Sequence, residues 1–386
     1  MNKEKRRVPK LRFPGFTEDW EQRKLGDVTN IKTGSRNQQD SVANGKYPFF
    51  IRSEKIEKLD AYDFDTEAIL VPGDGRIGEI FHYYNGKFAL HQRVYKVDDF
   101  KGVDAFYLLY LFQCKFKEHA LRLNAQGTVP SLRLPMFTEW NIDIPSLQEQ
   151  ICIGRLLNKI ELMITLHQRK LEHLKLKKKA LLQKLFPKNG ERYPELRFPG
   201  FTDAWEQRKL EDVCNVYDGT HQTPRYTNSG VMFVSVEDIE TLESNKYITE
   251  EDFKSEFKVF PEYGDILLTR IGDVGSANVI LDEIKRAYYV SLALLKPKDI
   301  NSLFLLALLS SSSVQSEIWR RTLHIAFPKK INKNEINKVI VNQPSIPEQK
   351  KIGKLFFSLD QTITLHQRKL DHLQLQKKAL LQQMFV

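Results

Sequence analysis

The chain has 386 residues, 41% of them hydrophobic and 28% charged, a composition that excludes a disordered or fibrous protein and a length that favours two domains. The first thirty residues contain no signal-peptide-like apolar segment, and no later run is apolar enough to span a membrane, so we expect a cytoplasmic protein without membrane contact. The three cysteines, Cys114, Cys152 and Cys214, are too widely spaced for a CxxC-type zinc site, and their odd number does not suit a disulfide framework.

The net charge of +10 is unevenly distributed along the chain. Residues 29–144 carry 15 basic and 15 acidic side chains, and residues 214–343 carry 15 and 17. The excess of positive charge lies mainly in residues 145–193, with 11 basic and 4 acidic side chains, and in residues 344–386, with 7 and 3. A phosphate-binding surface and a solvated lysine-rich helix face both account for this pattern.

Two pieces of sequence occur twice. Residues 11–28 (LRFPGFTEDWEQRKLGDV) return at 196–213 with 15 of 18 positions identical, and residues 165–183 (TLHQRKLEHLKLKKKALLQ) return at 364–382 with 16 of 19 identical. The offsets of 185 and 199 residues are far too long for a solenoid repeat. We therefore predict two domain-sized modules of one design, related by a pseudo-two-fold axis.

The sequences between the repeats have diverged but keep a common order of elements. In residues 29–144, short strand-like runs precede an apolar helical run at 105–114, and residues 214–343 show the same order. This pattern predicts an α+β fold with two pseudo-symmetric mixed domains, at residues 1–146 and 188–343.

Glycines in the first mixed segment match the dinucleotide-binding pattern GxGxxG at Gly73, Gly75 and Gly78. The residues that follow look like a strand and a hairpin, not the helix that this fingerprint requires. Gly75 and Gly78 correspond to Gly272 and Gly275 in the second segment, whereas Gly73 has no counterpart. We therefore interpret them as turn glycines of a shared frame.

Residues 147–187 and 344–386 are predicted to form two long helices. Helix-favouring residues fill both segments, Ser146 and Glu149 suit a capping box at the start of the first, and Pro187 ends it. Each helix would be on the order of 60 Å long, too long to be buried within one domain. Because the copies are related by a two-fold axis, we expect the helices to form an antiparallel coiled coil, a rigid spacer between the mixed domains.

The apolar seam of the first helix is assigned to Ile153, Leu156, Ile160 and Met163, and it resumes after His167 with a step of four residues. Two consecutive steps of four predict a stutter at His167. His167 and its counterpart His366 are interpreted as polar seam residues that fix the register rather than as metal ligands.

Polar side chains that differ between the two frames are candidates for contacts with base edges and phosphates, because Arg, Lys, Gln and His suit both. The candidate DNA-binding residues are Ser35, Arg52, Arg76, His91, Gln92, Arg93, Gln126, Thr128, Arg133, Thr220, His221, Arg225, Ser235, Arg270, Asp273, Lys329 and Lys330.

The sequence contains no Walker loop, HExxH or GxSxG motif, and no Asn-Pro-Pro-aromatic run of amino-methyltransferases. No catalytic residue and no metal site are predicted. Two alternatives stay open: a pure coiled-coil scaffold, which would not need the mixed segments, and an autonomous nuclease or methyltransferase with a hidden catalytic cluster.

Several motifs together resemble one known family. The duplicated LRFPGF and WEQRKL blocks, the PSLQEQ and PSIPEQ entries to the helices, the TLHQRKL and KKALLQ segments, and GTHQTP (219–224) with LLTRIGDVGS (267–276) resemble the specificity subunit of type I restriction-modification systems. The resemblance covers nearly the whole chain.

The resemblance implies a non-catalytic subunit that directs an adenine-N6 DNA methyltransferase and restriction complex. Its two target-recognition domains each read one half of a bipartite sequence in double-stranded DNA, while the helices fix the gap and bind two modification subunits. S-adenosylmethionine, ATP and magnesium are then cofactors of the modification and restriction subunits, not of this chain. The expected subunit-docking residues are Leu156, Ile160, Leu171, Leu174, Leu355, Leu359, Leu370 and Leu373.

Overall fold

The computed structural model describes residues 7–124 and 130–386. The chain divides into two compact units, of which unit 1 comprises Met1–Gln168 with Arg368–Val386, and unit 2 comprises Arg169–Gln367. Each long helix contributes one half to each unit. The four-part division predicted from the sequence, which assigns each helix to a segment of its own, stays a prediction.

Unit 1 combines sheets and short helices. Its strands are β1 (Glu21–Lys24), β2 (Asn30–Thr33), β3 (Tyr47–Phe50), β4 (Ile56–Leu59), β5 (Phe64–Pro72), β6 (His82–Leu90), β7 (Val94–Asp98) and β8 (Asn141–Ile144). Its helices are α1 (Leu25–Val28), α2 (Ala105–Leu111), α3 (Lys117–Leu123), α4 (Leu134–Thr138) and the first half of α5 (Leu147–Lys184), with a π-helix at Phe112–Phe116. The main sheet has the order β2-β7-β5-β6-β3-β4, and β1 pairs with β8.

Unit 2 is built in the same way. Its strands are β9 (Glu206–Lys209), β10 (Cys214–Asp218), β11 (Val231–Val234), β12 (Tyr247–Ile248), β13 (Ile266–Thr269), β14 (Ala277–Val279), β15 (Arg286–Tyr288), β16 (Leu292–Pro297) and β17 (Ile340–Gln343). Its helices are α6 (Leu210–Val213), α7 (Glu250–Glu256), α8 (Ser302–Leu309), α9 (Ser312–Arg321), α10 (Lys333–Asn337) and the first half of α11 (Ile346–Met384). The sheets have the orders β10-β16-β13-β14, β12-β11-β15 and β17-β9.

The two units share one strand topology. In unit 1 the long strand β6 pairs with both β5 and β3, whereas in unit 2 the equivalent stretch is divided into β14, paired with β13, and β15, paired with β11. The pairing of β3 with β6 and of β11 with β15 is parallel, and the other strand pairs in these sheets are antiparallel. The predicted α+β fold and the shared frame are confirmed.

The central strand of each main sheet is buried on both faces. Ile69 of β5 packs in the core beneath α2, while its neighbour Leu70 packs in a second cluster on the opposite face. In β13, Leu268 and Leu267 are divided between two clusters in the same way. A strand covered on both faces reads as a continuous apolar run, which explains the absence of alternation at these places in the sequence.

Both long helices begin with the same set of contacts. In unit 1, Glu149 accepts two hydrogen bonds from Arg12, of 2.7 and 2.8 Å, and Gln150 accepts the backbone N–H of Asp104 at 2.9 Å. Asp104 caps α2 by accepting the N–H of Tyr107. Unit 2 repeats these contacts with equivalent residues, Arg197 with Glu348 and Gln349 with Asn301. The Glu-Gln pair therefore joins each long helix to the repeated block that contains Arg12 or Arg197 and to a neighbouring helix.

These contacts correct the predicted capping box. The backbone N–H of Glu149 does approach the Ser146 hydroxyl, at 3.4 Å, but the Glu149 carboxylate binds Arg12 instead of returning to the helix start. One turn later, Gly154 lies so close to the start of α2 that an added Cβ would be 2.6 Å from an Asp104 carboxylate oxygen. The glycine thus permits a close approach between two helices.

The long helices run antiparallel within each unit. In unit 1, Gln383 accepts the N–H of Leu11, which adjoins the Arg12–Glu149 pair at the start of α5, and Lys377 pairs with Glu161 further along α5. Residue numbers therefore increase along α5, from 149 to 161, where they decrease along α11, from 383 to 377, so the two helices run in opposite directions. Unit 2 repeats this arrangement: Lys184 accepts the N–H of Leu196, which adjoins the Arg197–Glu348 pair at the start of α11, and Lys178 pairs with Asp360 further along α11. The predicted antiparallel helix pairing is confirmed within each unit.

The seam differs from the prediction by one residue in the first turns. Leu157 and Ile164 are buried, whereas the predicted Leu156 and Met163 are only half-buried. The spacing through Ile160, Ile164 and half-buried His167 then alternates between three and four residues, so the predicted stutter at His167 is wrong. An apolar residue occupies both candidate positions in each turn, which is why the sequence alone did not separate the two registers.

Candidate nucleic-acid interface

The sequence-predicted polar residues of unit 1 collect at one edge of its sheet. Because β3 and β6 are parallel, both strands end at this edge, with Phe50 opposite Leu90. Pro72 at the end of β5 pairs with Val94 at the start of β7. The segments after β3 and β5 and the turn between β6 and β7 therefore converge, and they carry Arg52, Arg76 and residues 91–93.

Two arginines at this edge are already paired with carboxylates. Arg52 contacts Asp74 at 3.2 Å, while Arg76 contacts Glu54 at 2.9 Å and Glu79 at 2.8 Å. The Arg52–Asp74 and Arg76–Glu54 ion pairs join the segment after β3 to the turn after β5. Hydrogen bonds from Arg76 and, foremost, Lys117 lower the pKa of Glu79 to about 2. Phosphate binding by Arg52 or Arg76 would have to compete with these carboxylates.

His91 is buried, and this burial revises its predicted role. Its Nδ1 accepts the backbone N–H of Arg93 at 2.9 Å, so the proton of the neutral ring lies on Nε2. Burial, followed by the nearby charge of Arg52, lowers the pKa of His91. The histidine therefore shapes the turn that presents Arg93 rather than offering its ring to a ligand.

Arg93 and Arg133 are the exposed cations of this edge that form no ion pair with any residue in the described ranges 7–124 and 130–386. Arg133 reaches the edge because Leu132 donates its N–H to Gly73 at 2.6 Å and Ser131 forms a bridge with Asp74. Exposed cations without carboxylate partners are the side chains best able to bind phosphate or guanine.

The other unit 1 candidates have mixed surroundings. Gln92 is exposed and donates to Asn37 at 2.6 Å, and Ser35 is exposed on the segment after β2. Gln126 and Thr128 lie outside the described residues. Sequence reasoning missed Arg36, which forms a bridge with His91 at the same edge and pairs with Asp63 at 2.8 Å. Its position next to the Gly34-Ser35 turn was the available signal.

Unit 2 brings its candidates to the equivalent edge. Gly272 donates its N–H to Lys329 at 2.8 Å, Lys330 forms a bridge with Ile271, and Ser291 accepts the N–H of Arg270 at 2.9 Å. These contacts join the turn after β13, the turn before β16 and the segment after α9. Asp273 is exposed on the first of these and accepts the Ser276 hydroxyl at 2.6 Å.

Two unit 2 candidates are buried, so a role in direct DNA contact is not supported for them in this conformation. The Arg270 side chain pairs with Asp218 and donates from Nε to the Ile331 carbonyl at 3.2 Å, with 9% of the side chain exposed. Ser235 donates to Glu237 at 3.0 Å and to Asp238 at 3.2 Å at the start of a short 3-10 turn. Both residues stabilise loops at the edge.

The remaining candidates follow β10 or lie on the loop before α10. Thr220 is half-buried and donates to Glu256 at 3.2 Å, whereas His221 and Arg225 are exposed on the same segment. Lys329 and Lys330 are also exposed. Arg225, Lys329 and Lys330 form no ion pair with any residue that the structure describes, so among the unit 2 candidates they are the cations available to a polyanion.

The predicted docking residues are buried or half-buried. Ile160, Leu171, Leu174, Leu359 and Leu370 are buried, Leu373 is half-buried, Leu156 packs against the core of unit 1, and Leu355 packs against that of unit 2. A buried side chain offers little surface to another subunit, so these residues are better explained by helix packing.

Other leucines of the long helices are exposed, and two of them recur in both copies. Leu166 and Leu365 occupy equivalent positions and are 63% and 54% exposed, and Leu176 and Leu375 are each 67% exposed. Within the described part of the chain, we find no cluster of metal-binding side chains and no helix that is long and apolar enough to cross a membrane.

A family model and two relatives of known name indicate the same family. The model of the type I restriction modification DNA specificity domain matches residues 17–176 and 202–375. The EcoDI specificity subunit of Escherichia coli is 29% identical over 206 residues, an alignment that spans 51% of this chain and 45% of that subunit. The MjaVIII specificity subunit of Methanocaldococcus jannaschii is 24% identical over 96% of this chain and 92% of that subunit.

A solved structure has the same fold. The S subunit of a type I restriction-modification system from M. genitalium superimposes with a TM-score of 0.74 at 17% identity, covering 98% of this chain and 99% of that one. The family model matches the chain twice, once in each half, and covers most of its residues. The chain therefore belongs to the family of type I restriction-modification specificity subunits.

Proposed function

We propose that each unit reads one half of a bipartite sequence in double-stranded DNA through the sheet edge described above. The observation that carries this proposal is that both units place different polar side chains on the same strand topology. Unit 1 offers Arg93 and Arg133 there, and unit 2 offers Lys329 and Lys330. Two different readers on one frame suit a target whose halves differ.

The chain supplies recognition, and the chemistry is supplied by partner subunits. In this proposal two modification subunits transfer a methyl group from S-adenosylmethionine to N6 of adenine, and restriction subunits use ATP and magnesium for translocation and cleavage. The complex acts in the cytoplasm, where its DNA substrate is found. The family membership of this chain and the absence of catalytic motifs from its sequence support this division of work.

The long helices fix the gap between the half-sites and carry the docking surface for the modification subunits. Repeated, exposed leucines support this role, since Leu166 and Leu176 of α5 have exposed counterparts at Leu365 and Leu375 of α11. Each unit thus presents one such leucine from each helix. Exposed apolar side chains kept at equivalent places of two copies are suited to two copies of one partner.

Mapping of N6-methyladenine in cellular DNA tests the proposal. Cells that express the chain with its modification subunit should carry methylation at a bipartite motif, and cells that lack the chain should not. Exchange of residues 29–144 for the corresponding segment of another specificity subunit should change one half of that motif and leave the other half and the gap unchanged. Exchange of 214–343 is the matched control and should change the other half.

Two results would contradict the proposal. A pure scaffold would leave the methylated motif unchanged after either exchange. An autonomous methyltransferase would methylate DNA when the purified chain is incubated with S-adenosylmethionine without any modification subunit.

A further inference from the structure

One loop of unit 2 projects an apolar tip that no part of the described chain covers. Leu323 donates its N–H to Lys330 at 2.8 Å, and Gly272 donates to Lys329 at 2.8 Å, so both ends of the loop are fixed. Between these points, Ile325 and Phe327 are fully exposed. Two fully exposed large apolar side chains on one anchored loop are unusual, because each leaves apolar area in water that folding normally removes.

The surroundings of the tip are polar and mostly cationic. Lys329 and Lys330 follow it after Pro328, His324 precedes it, and exposed Arg320, which pairs with Glu317, lies on α9. His324 packs against Trp319, with ring centroids 4.6 Å apart, and its Nε2 lies 2.8 Å from the Trp319 carbonyl oxygen. The loop is thus braced on its helix side, and its lysines are free to contact phosphates.

A cleft of about 600 Å³ adjoins the loop. Its lining includes Asp273 of the turn after β13, Trp319 and Lys329, so the loop borders the same sheet edge that carries the predicted DNA contacts. The apolar tip would therefore approach DNA together with the polar side chains of this edge.

We propose that Ile325 and Phe327 form a wedge that inserts between base pairs of the half-site read by unit 2. The proposal rests on the proposed function and adds that unit 2 deforms the DNA half-site that it reads. Apolar wedges flanked by basic residues partly unstack a base step and bend the duplex, since the lysines bind phosphates while the apolar side chains replace the lost stacking. The wedge then selects base steps that unstack easily, without hydrogen bonds to base edges.

The two half-sites are expected to differ in this respect. The corresponding loop of unit 1 has the sequence Asn124-Ala-Gln-Gly-Thr-Val-Pro130, which contains no aromatic residue, and residues 125–129 lie outside the described ranges. The half-site read by unit 1 therefore serves as an internal control on the same DNA molecule.

The test uses the complex of the full chain with its modification subunit, bound to duplexes that carry the methylated motif. 2-Aminopurine replaces adenine at successive positions other than the methylated adenines, because its fluorescence rises when it is unstacked and a methyltransferase flips its target base out of the stack without any wedge. We expect a rise at one step of the unit 2 half-site and none in the unit 1 half-site. The Ile325→Ala/Phe327→Ala variant should lose the rise and bind this target roughly tenfold more weakly, while its affinity for unrelated duplex changes little.

Two further variants separate the wedge from other effects. Phe327→Leu keeps a large apolar side chain and should keep the fluorescence rise. Ile284→Ala removes a 52% exposed side chain from the connection between β14 and β15, at the opposite end of the sheet, and should behave as the parent chain.

Each contrary outcome has its own meaning. Normal binding and methylation without a rise at any step, or with the double variant equal to the parent, would refute the wedge and leave the proposed function standing. A double variant that no longer co-purifies with the modification subunit would assign the tip to a protein contact and overturn the proposal. Absence of any methylated motif with the parent complex would overturn the proposed function and the wedge together.

Discussion

Lys377 Nζ lies 2.6 Å from a carboxylate oxygen of Glu161, and the equivalent residues Lys178 and Asp360 repeat this ion pair at 2.5 Å. Each pair joins α5 to α11 within one unit. A lysine at an otherwise apolar seam position is thus explained by an acidic partner on the opposing helix, which favours the antiparallel register over a shifted one.

Reversal of one charge in this pair should destabilise unit 1. Lys377→Glu places two carboxylates side by side, and we expect a loss of about 1 kcal/mol because both side chains are partly exposed. The double variant Lys377→Glu/Glu161→Lys should recover most of the loss. Denaturant unfolding of the three proteins measures the coupling. Purely additive effects of the two substitutions would show that the pair does not specify the register.

The Arg12–Glu149 pair should contribute more than the seam pair. Glu149 is fully buried and Arg12 is 14% exposed, so Arg12→Ala leaves a buried carboxylate without its partner. We expect a loss of about 3–5 kcal/mol in the free energy of unfolding. Arg12→Lys should rescue little, because a lysine cannot form both parallel hydrogen bonds.

The matched control for Arg12 is Arg23, which pairs with Glu21 at the surface. Arg23→Ala should leave the free energy of unfolding nearly unchanged, because both side chains of this pair are exposed and screened by solvent. Equal effects of the two alanine variants would contradict the role assigned to the buried pair.

Arg93→Ala and Arg133→Ala should weaken binding at the half-site read by unit 1. Loss of a contact to a base edge would cost about 1–3 kcal/mol and relax the sequence preference at one position. Loss of a phosphate contact would weaken binding to all sequences equally and reduce the slope of log affinity against log salt concentration by about one. Filter binding or anisotropy over a salt series distinguishes these two results.

Lys101→Ala is the control for these arginines, because Lys101 is exposed beyond the end of β7 at the opposite edge of the sheet. It should leave affinity unchanged. Affinity that is insensitive to both arginine substitutions would move the DNA contact away from this edge.

Substitution of the exposed leucines should impair assembly without impairing folding. Leu166→Ser with Leu365→Ser removes apolar surface from each unit and should reduce the number of modification subunits that co-purify with the chain. The control is Leu281→Ser, a 38% exposed leucine that follows β14. Full assembly of the double variant, with an unchanged melting temperature, would exclude these leucines from the docking surface.

Acidification should destabilise unit 1 through its half-buried and buried histidines. Burial lowers the pKa of His82, His91 and His119 below the ordinary value of 6.5. The unfolded chain then binds more protons than the folded chain as the pH falls through this value, so stability decreases with decreasing pH.

Melting temperatures at pH 7.5 and 5.5 test this expectation. His82→Gln should show a smaller decrease than the parent chain, because Gln stays neutral and can still donate to the Ser53 carbonyl that lies 3.0 Å from His82 Nε2. His221→Gln, at an exposed position, should keep the parent's decrease. A melting temperature of the parent chain that does not change between these pH values would contradict the destabilising role assigned to protonation of these histidines.

The repeats and their helices could be predicted from the sequence because they depend on local and periodic information. Residues 165–183 return nearly unchanged at 364–382, and an uninterrupted run of helix formers predicts a helix wherever the rest of the chain lies. The same reasoning fixed the α+β class, since strand-like and helical runs recur in the same order in both copies.

The exact seam could not be predicted, because Leu156 and Leu157 are both apolar and only packing decides which of them is buried. Exposure of candidate site residues depends in the same way on distant partners. Arg270 pairs with Asp218, which is 52 residues away, and becomes a structural residue, whereas Arg93 has no such partner in the described ranges.

The sequence by itself therefore determined the duplication, the long helices, the mixed domains and the family resemblance. Tertiary structure decided which cations are available to DNA, which leucines face solvent and where the apolar tip of unit 2 projects. The physical reason is that charge and hydrophobicity belong to a residue, while pairing and burial belong to the contacts that folding brings together.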